Sequence, residues 1–203
     1  MFVKICGLKT ELAVQAALDA GADALGFVFA DSPRRVSAEQ AAALSRKLPA
    51  HIARVAVMLR PSREDWNHVR DVFKPDWLQT DANDFALLEI PDSIGRFPVY
   101  RDSATADFDS DNFVWPAHIL FEGARSGIGM QPDWHHAAQL ARHTCMMLAG
   151  GLNPQNVKDA IVQVRPWGVD VSSGVETSPG IKDPEKIAAF VAAAREAEGA
   201  HEG

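Results

Sequence analysis

Short apolar runs of strand length alternate along the chain with amphipathic segments of helix length. Eight apolar runs predict strands at residues 2–5, 24–29, 52–59, 77–80, 97–100, 118–121, 145–148 and 168–171. This alternation is typical of βα units around a parallel sheet. Eight units in 203 residues predict an α/β protein with one domain over residues 1–203, a closed eight-stranded (β/α)8 TIM barrel with short loops.

An open, doubly wound sheet is the alternative fold. Its dinucleotide-binding form carries a G-x-G-x-x-G fingerprint in the first strand-to-helix turn. The corresponding turn here is Cys6-Gly7-Leu8-Lys9-Thr10, which lacks that fingerprint. The barrel is therefore favoured.

The predicted helices begin at residues that suit helix caps. Thr10 opens the first, whose apolar stripe ends at Gly21, and Ser37 with Gln40 forms a capping box at the start of the second. Further helices are predicted over residues 62–73, 85–88, 132–142, 154–164 and 183–198. Residues 102–112, rich in Asp, Ser and Thr, predict a loop where a fifth helix would normally stand, and residues 200–203 predict a frayed end.

Composition narrows the class of protein. The chain is 47% hydrophobic and 23% charged, which suits a globular core that needs no metal or disulfide to hold it. There is neither an apolar run of membrane-spanning length nor a secretory signal, so we expect a cytoplasmic protein. Cys6 and Cys145 are expected to be free thiols. A formal net charge of −7 argues against nucleic acid as a partner.

The ends of the first and last predicted strands carry a possible pair of reacting groups. Cys6 follows the first apolar run and Asp170 lies in the last, and these strands are neighbours in a closed barrel. Function in this fold sits at the carboxyl ends of the strands. Strand alternation also places Lys4 on the face of Cys6, where an ammonium would favour the thiolate. A Lys4 paired with a carboxylate inside the barrel is the alternative.

Two loops have the composition of phosphate-binding loops. The loop after the seventh strand contains Gly150, Gly151 and Asn153, and the loop after the eighth contains Ser172, Ser173 and Gly174. Small residues leave backbone N–H groups open to an anion, and Asn153 suits a helix cap before Pro154. Either loop alone reads more simply as a tight turn before a helix. Together they occupy the usual phosphate position of a (β/α)8 barrel.

Four motifs spread through the chain resemble one enzyme family. They are Lys4-Ile5-Cys6-Gly7, Gly21-Ala22-Asp23-Ala24-Leu25-Gly26-Phe27-Val28-Phe29 with Ser32-Pro33-Arg34, Leu148-Ala149-Gly150-Gly151-Leu152-Asn153-Pro154-Gln155-Asn156-Val157, and Val169-Asp170-Val171-Ser172-Ser173-Gly174-Val175-Glu176. By these motifs the chain resembles phosphoribosylanthranilate isomerases. The resemblance implies an isomerase of tryptophan biosynthesis that works without metal or cofactor. Its implied substrate is a small phosphosugar, which it would bind as a monomer or homodimer.

The implied reaction is an Amadori rearrangement of N-(5-phosphoribosyl)anthranilate to 1-(2-carboxyphenylamino)-1-deoxyribulose 5-phosphate. It needs an acid that protonates the ribose ring oxygen and a base that removes the C2 proton. The resemblance assigns the base to Cys6. The family's acid is an Asp, and Glu122 occupies its position here. The extra methylene matters because a displacement of about 1 Å can change the rate by about 10²-fold.

The resemblance also implies the residues that bind the substrate. Arg34 would hold the anthranilate carboxylate, for which a planar guanidinium is suited. Gln79 matches the family, but Asp81 replaces its His and could also be only a helix cap. Asp170 would orient the site or bind ribose hydroxyls, or else pair with Lys4.

Two other functions remain open at the level of the sequence. One is an aminoaldose phosphate isomerase that acts on a related substrate with the same mechanism. The other is a noncatalytic phosphosugar-binding barrel. Metal chemistry is not indicated, because His135, His136 and His143 fall on a predicted helix away from the strand ends.

Overall fold

A computed structural model of the chain describes residues 1–102, 113–124 and 130–199. Eight parallel strands pair in sequence order and close into a barrel, with β1 also paired to β8. The strands are β1 (Phe2–Cys6), β2 (Ala24–Val28), β3 (Ala53–Val57), β4 (Trp77–Asp81), β5 (Gly95–Arg101), β6 (His118–Glu122), β7 (Cys145–Leu148) and β8 (Gly168–Val171). The predicted (β/α)8 barrel is confirmed, although the third strand is shorter than predicted.

The helices of the described residues cover the outside of the barrel. They are α1 (Glu11–Asp19), α2 (Ala38–Ser45), α3 (Arg63–Phe73), α4 (Trp134–Leu140), α5 (Val157–Val164) and α6 (Pro184–Gly199). Thr10 caps α1 by accepting a hydrogen bond from the backbone N of Ala13, and the capping box of Ser37 and Gln40 is present. No helix in the described ranges is both long enough and apolar enough to span a membrane.

Three predicted helices differ from the structure. The helix predicted at 85–88 is instead a 3-10 turn, Ala82–Ala86, which is held to the strand end because Asp84 accepts a 2.5 Å hydrogen bond from Thr80. The helix predicted at 132–142 is shorter because Asp133 caps it just before Trp134. The helix predicted at 154–164 begins only at Val157. Of the loop predicted at 102–112, residues 103–112 lie outside the described residues, as does the end predicted at 200–203.

A short antiparallel hairpin follows the barrel. After β8 the chain forms a 3-10 turn (Ser173–Val175) and then strands β9 (Glu176–Ser178) and β10 (Ile181–Lys182). The hairpin reverses the chain and brings Lys182 back to the loop after β8, where its ammonium donates to the carbonyl oxygen of Ser172 at 2.9 Å.

Aromatic and aliphatic side chains fill the amino-terminal part of the barrel interior. Trp77 stacks on Phe97 with ring centroids 4.4 Å apart, and Phe2 stacks on Trp167 at 4.5 Å. Phe97, Leu120 and Met147 are fully buried in the same cluster. This packing leaves the carboxyl ends of the strands as the place for a ligand cavity.

Candidate active site

A cavity of about 350 Å³ opens at the carboxyl ends of the strands. Its lining includes these predicted site residues: Cys6, Arg34, Gln79, Asp81, Glu122, Asp170 and Ser172. Arg101, which the sequence did not single out, lines it as well. Residues far apart in sequence meet here because the carboxyl ends of parallel strands share one mouth of the barrel.

Lys4, Asp170 and Cys6 form a buried group on β1 and β8. Lys4 is opposite Asp170 in the strand register, and its ammonium lies 2.7 Å from the Asp170 Oδ1. Both side chains are almost fully buried. The ion pair left open by the sequence is therefore present, and it fixes Asp170 beside the thiol.

The sequence leaves open whether Lys4 favours the thiolate of Cys6 or pairs with a carboxylate, and the structure shows the pairing with Asp170. Burial raises the pKa of Cys6, and this effect together with the Asp170 carboxylate outweighs Lys4 and Lys182, which favour the thiolate. Lys4 favours the thiolate, but not enough to bring the pKa of Cys6 below its ordinary value. Burial lowers the pKa of Lys4, but the Asp170 carboxylate outweighs it and raises that pKa above its ordinary value.

Glu122 and Asp81 lie on either side of Arg101, at the ends of three adjacent strands. The Arg101 Nη2 is 2.6 Å from the Asp81 Oδ1, and the Arg101 Nε is 3.3 Å from the Glu122 Oε1. Burial opposes the charge of Arg101, but Asp81 and Glu122 raise its pKa above the ordinary value. Asp81 makes no side-chain cap hydrogen bond, so the helix-capping role is wrong. The signal for Arg101 was its position at the end of the fifth apolar run.

Arg34 is held by a carboxylate that the sequence did not assign to the site. Its Nε and Nη2 each donate to a different oxygen of Glu176 at 2.8 Å. The Arg34 side chain passes directly over Gly7, which has φ +79°, and a Cβ at Gly7 would lie 2.6 Å from the Arg34 Cδ. Glu176 is the last residue of the motif at 169–176, so its place near the site could be predicted from the sequence, but its pairing with Arg34 could not.

Gln79 presents an unsatisfied acceptor at the cavity wall. The residue is 8% exposed, and its Oε1 is buried with no hydrogen-bond donor among the described residues. Buried acceptors of this kind are normally satisfied. A ligand hydroxyl or N–H group in the cavity could donate to this oxygen.

The two predicted phosphate loops are close together. Gly150 and Gly151 both have positive φ, at +88° and +67°. A Cβ at Gly174 would overlap the carbonyl oxygen of Leu152, so the loops after β7 and β8 approach closely at that point. Ser173 lies with Gly174 in the 3-10 turn after β8. These glycines do not line the cavity at the strand ends.

Asn153 does not cap α5 directly, in contrast to the prediction. Its side-chain oxygen accepts hydrogen bonds from the backbone N of Gln155 at 2.8 Å and of Asn156 at 3.2 Å. These bonds hold a turn that precedes the helix, and Asn156 is the residue at the N-cap. The side chain of Asn153 therefore shapes the loop, and an anion would bind backbone N–H groups.

Among the described residues, His135 and His136 in α4 and His143 after it do not form a metal site. His136 lies 3.0 Å from the Asp102 Oδ1, while His135 and His143 are exposed. Across the described ranges, no three His, Cys, Asp or Glu side chains converge as metal ligands.

Comparison with known proteins gives one consistent result. The sequence profile described as N-(5'phosphoribosyl)anthranilate (PRA) isomerase matches residues 3–193. A protein of this name from Roseiflexus castenholzii is 38% identical, with 97% of this chain and 99% of the relative covered. The crystal structure of a phosphoribosyl anthranilate isomerase in complex with reduced 1-(o-carboxyphenylamino)-1-deoxyribulose 5-phosphate has a TM-score of 0.78 and 30% identity, covering 97% and 99% of the two chains. A structure of monomers generated from the dimeric isomerase of Thermotoga maritima has a TM-score of 0.78 and 29% identity over the same fractions.

Proposed function

The chain belongs to the N-(5'-phosphoribosyl)anthranilate isomerase family of tryptophan biosynthesis, and we propose that Cys6 and Glu122 carry out the proton transfers of its reaction. The enzyme is an aldose-ketose type isomerase. The observation that supports these roles is that both side chains line one cavity at the carboxyl ends of the barrel strands.

The chemistry assigns one proton transfer to each residue. Glu122 protonates the ribose ring oxygen, and the lone pair of the anthranilate nitrogen forms the C1–N double bond as the C1–O bond breaks. Cys6 then removes the C2 proton, and the electrons of that C–H bond form the enolamine, which tautomerises to the ketone. All atoms of the substrate remain in the product, so no second reactant is required.

An acid beside a guanidinium needs a physical reason to hold its proton. A nearby cation favours the ionised form of a carboxyl group. Asp81 is closer to Arg101 than Glu122 is, at 2.6 Å against 3.3 Å. The Asp81 carboxylate therefore offsets much of the Arg101 charge, which supports Glu122 as the proton donor. In this account Asp81 acts through Arg101, in place of the histidine usual in the family.

The other residues bind the substrate. Arg34 binds the anthranilate carboxylate, since its planar guanidinium lines the cavity and suits a carboxylate. The orphan oxygen of Gln79 accepts from a substrate hydroxyl or N–H group, and Asp170 accepts from a ribose hydroxyl. The phosphate binds the loops with Gly150, Gly151 and Asn153 and with Ser172, Ser173 and Gly174.

The test is the loss of substrate fluorescence after the protein is mixed with freshly generated phosphoribosylanthranilate. We expect Cys6→Ala and Glu122→Gln each to lower kcat by about 10²–10⁴-fold, the usual contribution of a proton-transfer group. Cys145→Ala is the matched control, because Cys145 begins β7 and so lies at the end of the barrel opposite to the cavity. Turnover that survives Glu122→Gln would refute Glu122 as the acid. Binding without turnover by the wild type would favour a noncatalytic barrel.

The proposal includes the organisation of the protein. We infer that the chain forms one domain and that the protein is a monomer or homodimer. We also infer a cytoplasmic location, which the two free thiols support. Sedimentation of the purified protein distinguishes the two assemblies.

A further inference from the structure

We propose that Glu176 and Lys182 form a buried link that positions Arg34 relative to the loop after β8, and so fixes the separation of the two anion sites. The inference rests on the proposed function, in which Arg34 binds the substrate carboxylate and the loop after β8 binds the phosphate. Glu176 and Lys182 act here as positioning residues, since neither is required to touch the reacting atoms.

The contacts form a continuous chain from one anion site to the other. Arg34 is bound by both oxygens of Glu176 at 2.8 Å, and the Lys182 ammonium lies 2.8 Å from the Glu176 Oε1. The same ammonium donates to the carbonyl oxygen of Ser172 at 2.9 Å and is 3.3 Å from its hydroxyl. A bidentate guanidinium pair fixes orientation as well as distance.

The burial of these charges distinguishes the link from a surface ion pair. Arg34, Glu176 and Lys182 are 8%, 8% and 9% exposed. A surface ion pair contributes little to stability, whereas a buried charge that loses its partner is strongly destabilising. Burial opposes the ionised form of Glu176, but Arg34 and Lys182 hold its pKa below the ordinary range. Burial lowers the pKa of Lys182 even though Glu176 favours its charge.

The charge balance of the link suits an anionic ligand. Two cations share one carboxylate, so the group carries an excess of one positive charge. The neighbouring pair of Lys4 and Asp170 is neutral by the same count. A buried excess of positive charge beside the cavity favours the binding of the carboxylate and phosphate of the substrate.

The hairpin of β9 and β10 also contacts the loop that carries Arg34. Gly180, at the hairpin turn, has φ +82°, and a Cβ there would lie 2.5 Å from the carbonyl oxygen of Pro33. Lys9 donates to that same oxygen at 2.7 Å. The hairpin therefore touches the loop after β2 through its backbone, independently of Glu176 and Lys182.

The experiment measures each anion site separately in wild type, Glu176→Gln and Lys182→Met. Inorganic phosphate is the competitive inhibitor that reports on one site, and anthranilate reports on the other. We expect each variant to weaken inhibition by both compounds about tenfold or more, because each loses a hydrogen bond to a charged group. Each variant should also raise KM more than it lowers kcat. Lys158→Met, which breaks an exposed ion pair with Glu196, is the control and should change neither.

Two results would overturn the link. If Lys182→Met weakens inhibition by phosphate alone and Glu176→Gln weakens inhibition by anthranilate alone, the two anion sites are independent. Unchanged inhibition in both variants would show a structural role only. A wild type inhibited by neither compound would instead refute the anion sites of the proposed function.

Folding of the variants is controlled by urea unfolding. If a single variant fails to fold because a buried charge has lost its partner, the double variant Glu176→Gln with Lys182→Met removes one charge of each sign. The link predicts that this double variant folds but keeps the raised KM and the weakened inhibition by both compounds. A folded double variant with wild-type KM would contradict it.

Discussion

Gly7→Ala should damage substrate binding through Arg34 without removing any side chain of the site. Gly7 has φ +79°, and the added methyl group would lie 2.6 Å from the Arg34 Cδ, 3.2 Å from its Cγ and 3.1 Å from the Ser172 Oγ. Carbon atoms in contact are normally about 3.5–4.0 Å apart. The Arg34 side chain must therefore move by about 1 Å.

The size of the effect follows from two separate terms. An L-residue in the left-handed region is strained by about 1–2 kcal/mol, which lowers the free energy of unfolding. The displacement of Arg34 acts on the reaction, where about 1 Å can change the rate by about 10²-fold. Arg34 cannot move away easily, because both of its hydrogen bonds to Glu176 would be distorted. We expect kcat/KM to fall by about 10- to 100-fold.

Gly21→Ala is a matched control for the backbone term. Gly21 has φ +82°, and a Cβ there would have no neighbour within 4 Å. Urea denaturation should show a similar loss of stability in both variants, while the fluorescence assay should show lower kcat/KM only for Gly7→Ala. If Gly7→Ala loses no more activity than Gly21→Ala, the close packing of Arg34 over Gly7 has no role in binding.

Three further predictions concern the titrating groups. Because the reaction needs Cys6 deprotonated and Glu122 protonated, kcat/KM should pass through a maximum with pH, and the limb that the thiol sets should lie above the ordinary thiol range, since burial raises the pKa of Cys6; a pH profile without this limb contradicts the assignment. Asp170→Asn should lower the free energy of unfolding by about 3–5 kcal/mol in urea denaturation, since it leaves Lys4 charged and unpaired, and adding Lys4→Met should recover most of the loss; additive losses would refute the coupling. Arg101→Met should lower kcat by about tenfold with a smaller change in KM, and Arg101→Lys should restore part of it; unchanged kcat in Arg101→Met would show that Glu122 needs no positioning.

Most of the fold follows from local features of the sequence. The strands are short apolar runs because both faces of a barrel strand are buried, and caps such as Thr10 and Ser37 act within three residues. The 3-10 turn after β4 could not be predicted in this way. It depends on Asp84, whose bonds to Thr80 and to the backbone of Arg60 come from the folded arrangement.

The positions of the site residues were predictable, but their partners were not. Cys6, Glu122 and Asp170 could be placed because strand ends converge in a barrel. The bidentate pair of Arg34 and Glu176 joins residues 142 positions apart, and no local pattern signals it. The thiol pKa could not be predicted for a similar reason, since the degree of burial is a property of the packed structure.

The most direct test of these roles is a crystal structure of the protein with reduced 1-(o-carboxyphenylamino)-1-deoxyribulose 5-phosphate, an analogue of the product. We predict the carboxylate on Arg34 and the phosphate on the loops after β7 and β8. The Glu122 carboxyl should lie about 2.6–3.2 Å from the C4 hydroxyl, which was the ring oxygen of the substrate, with the Cys6 sulfur beside C2. An analogue bound in the reverse direction, or with Glu122 out of reach of that hydroxyl, would contradict the assigned roles.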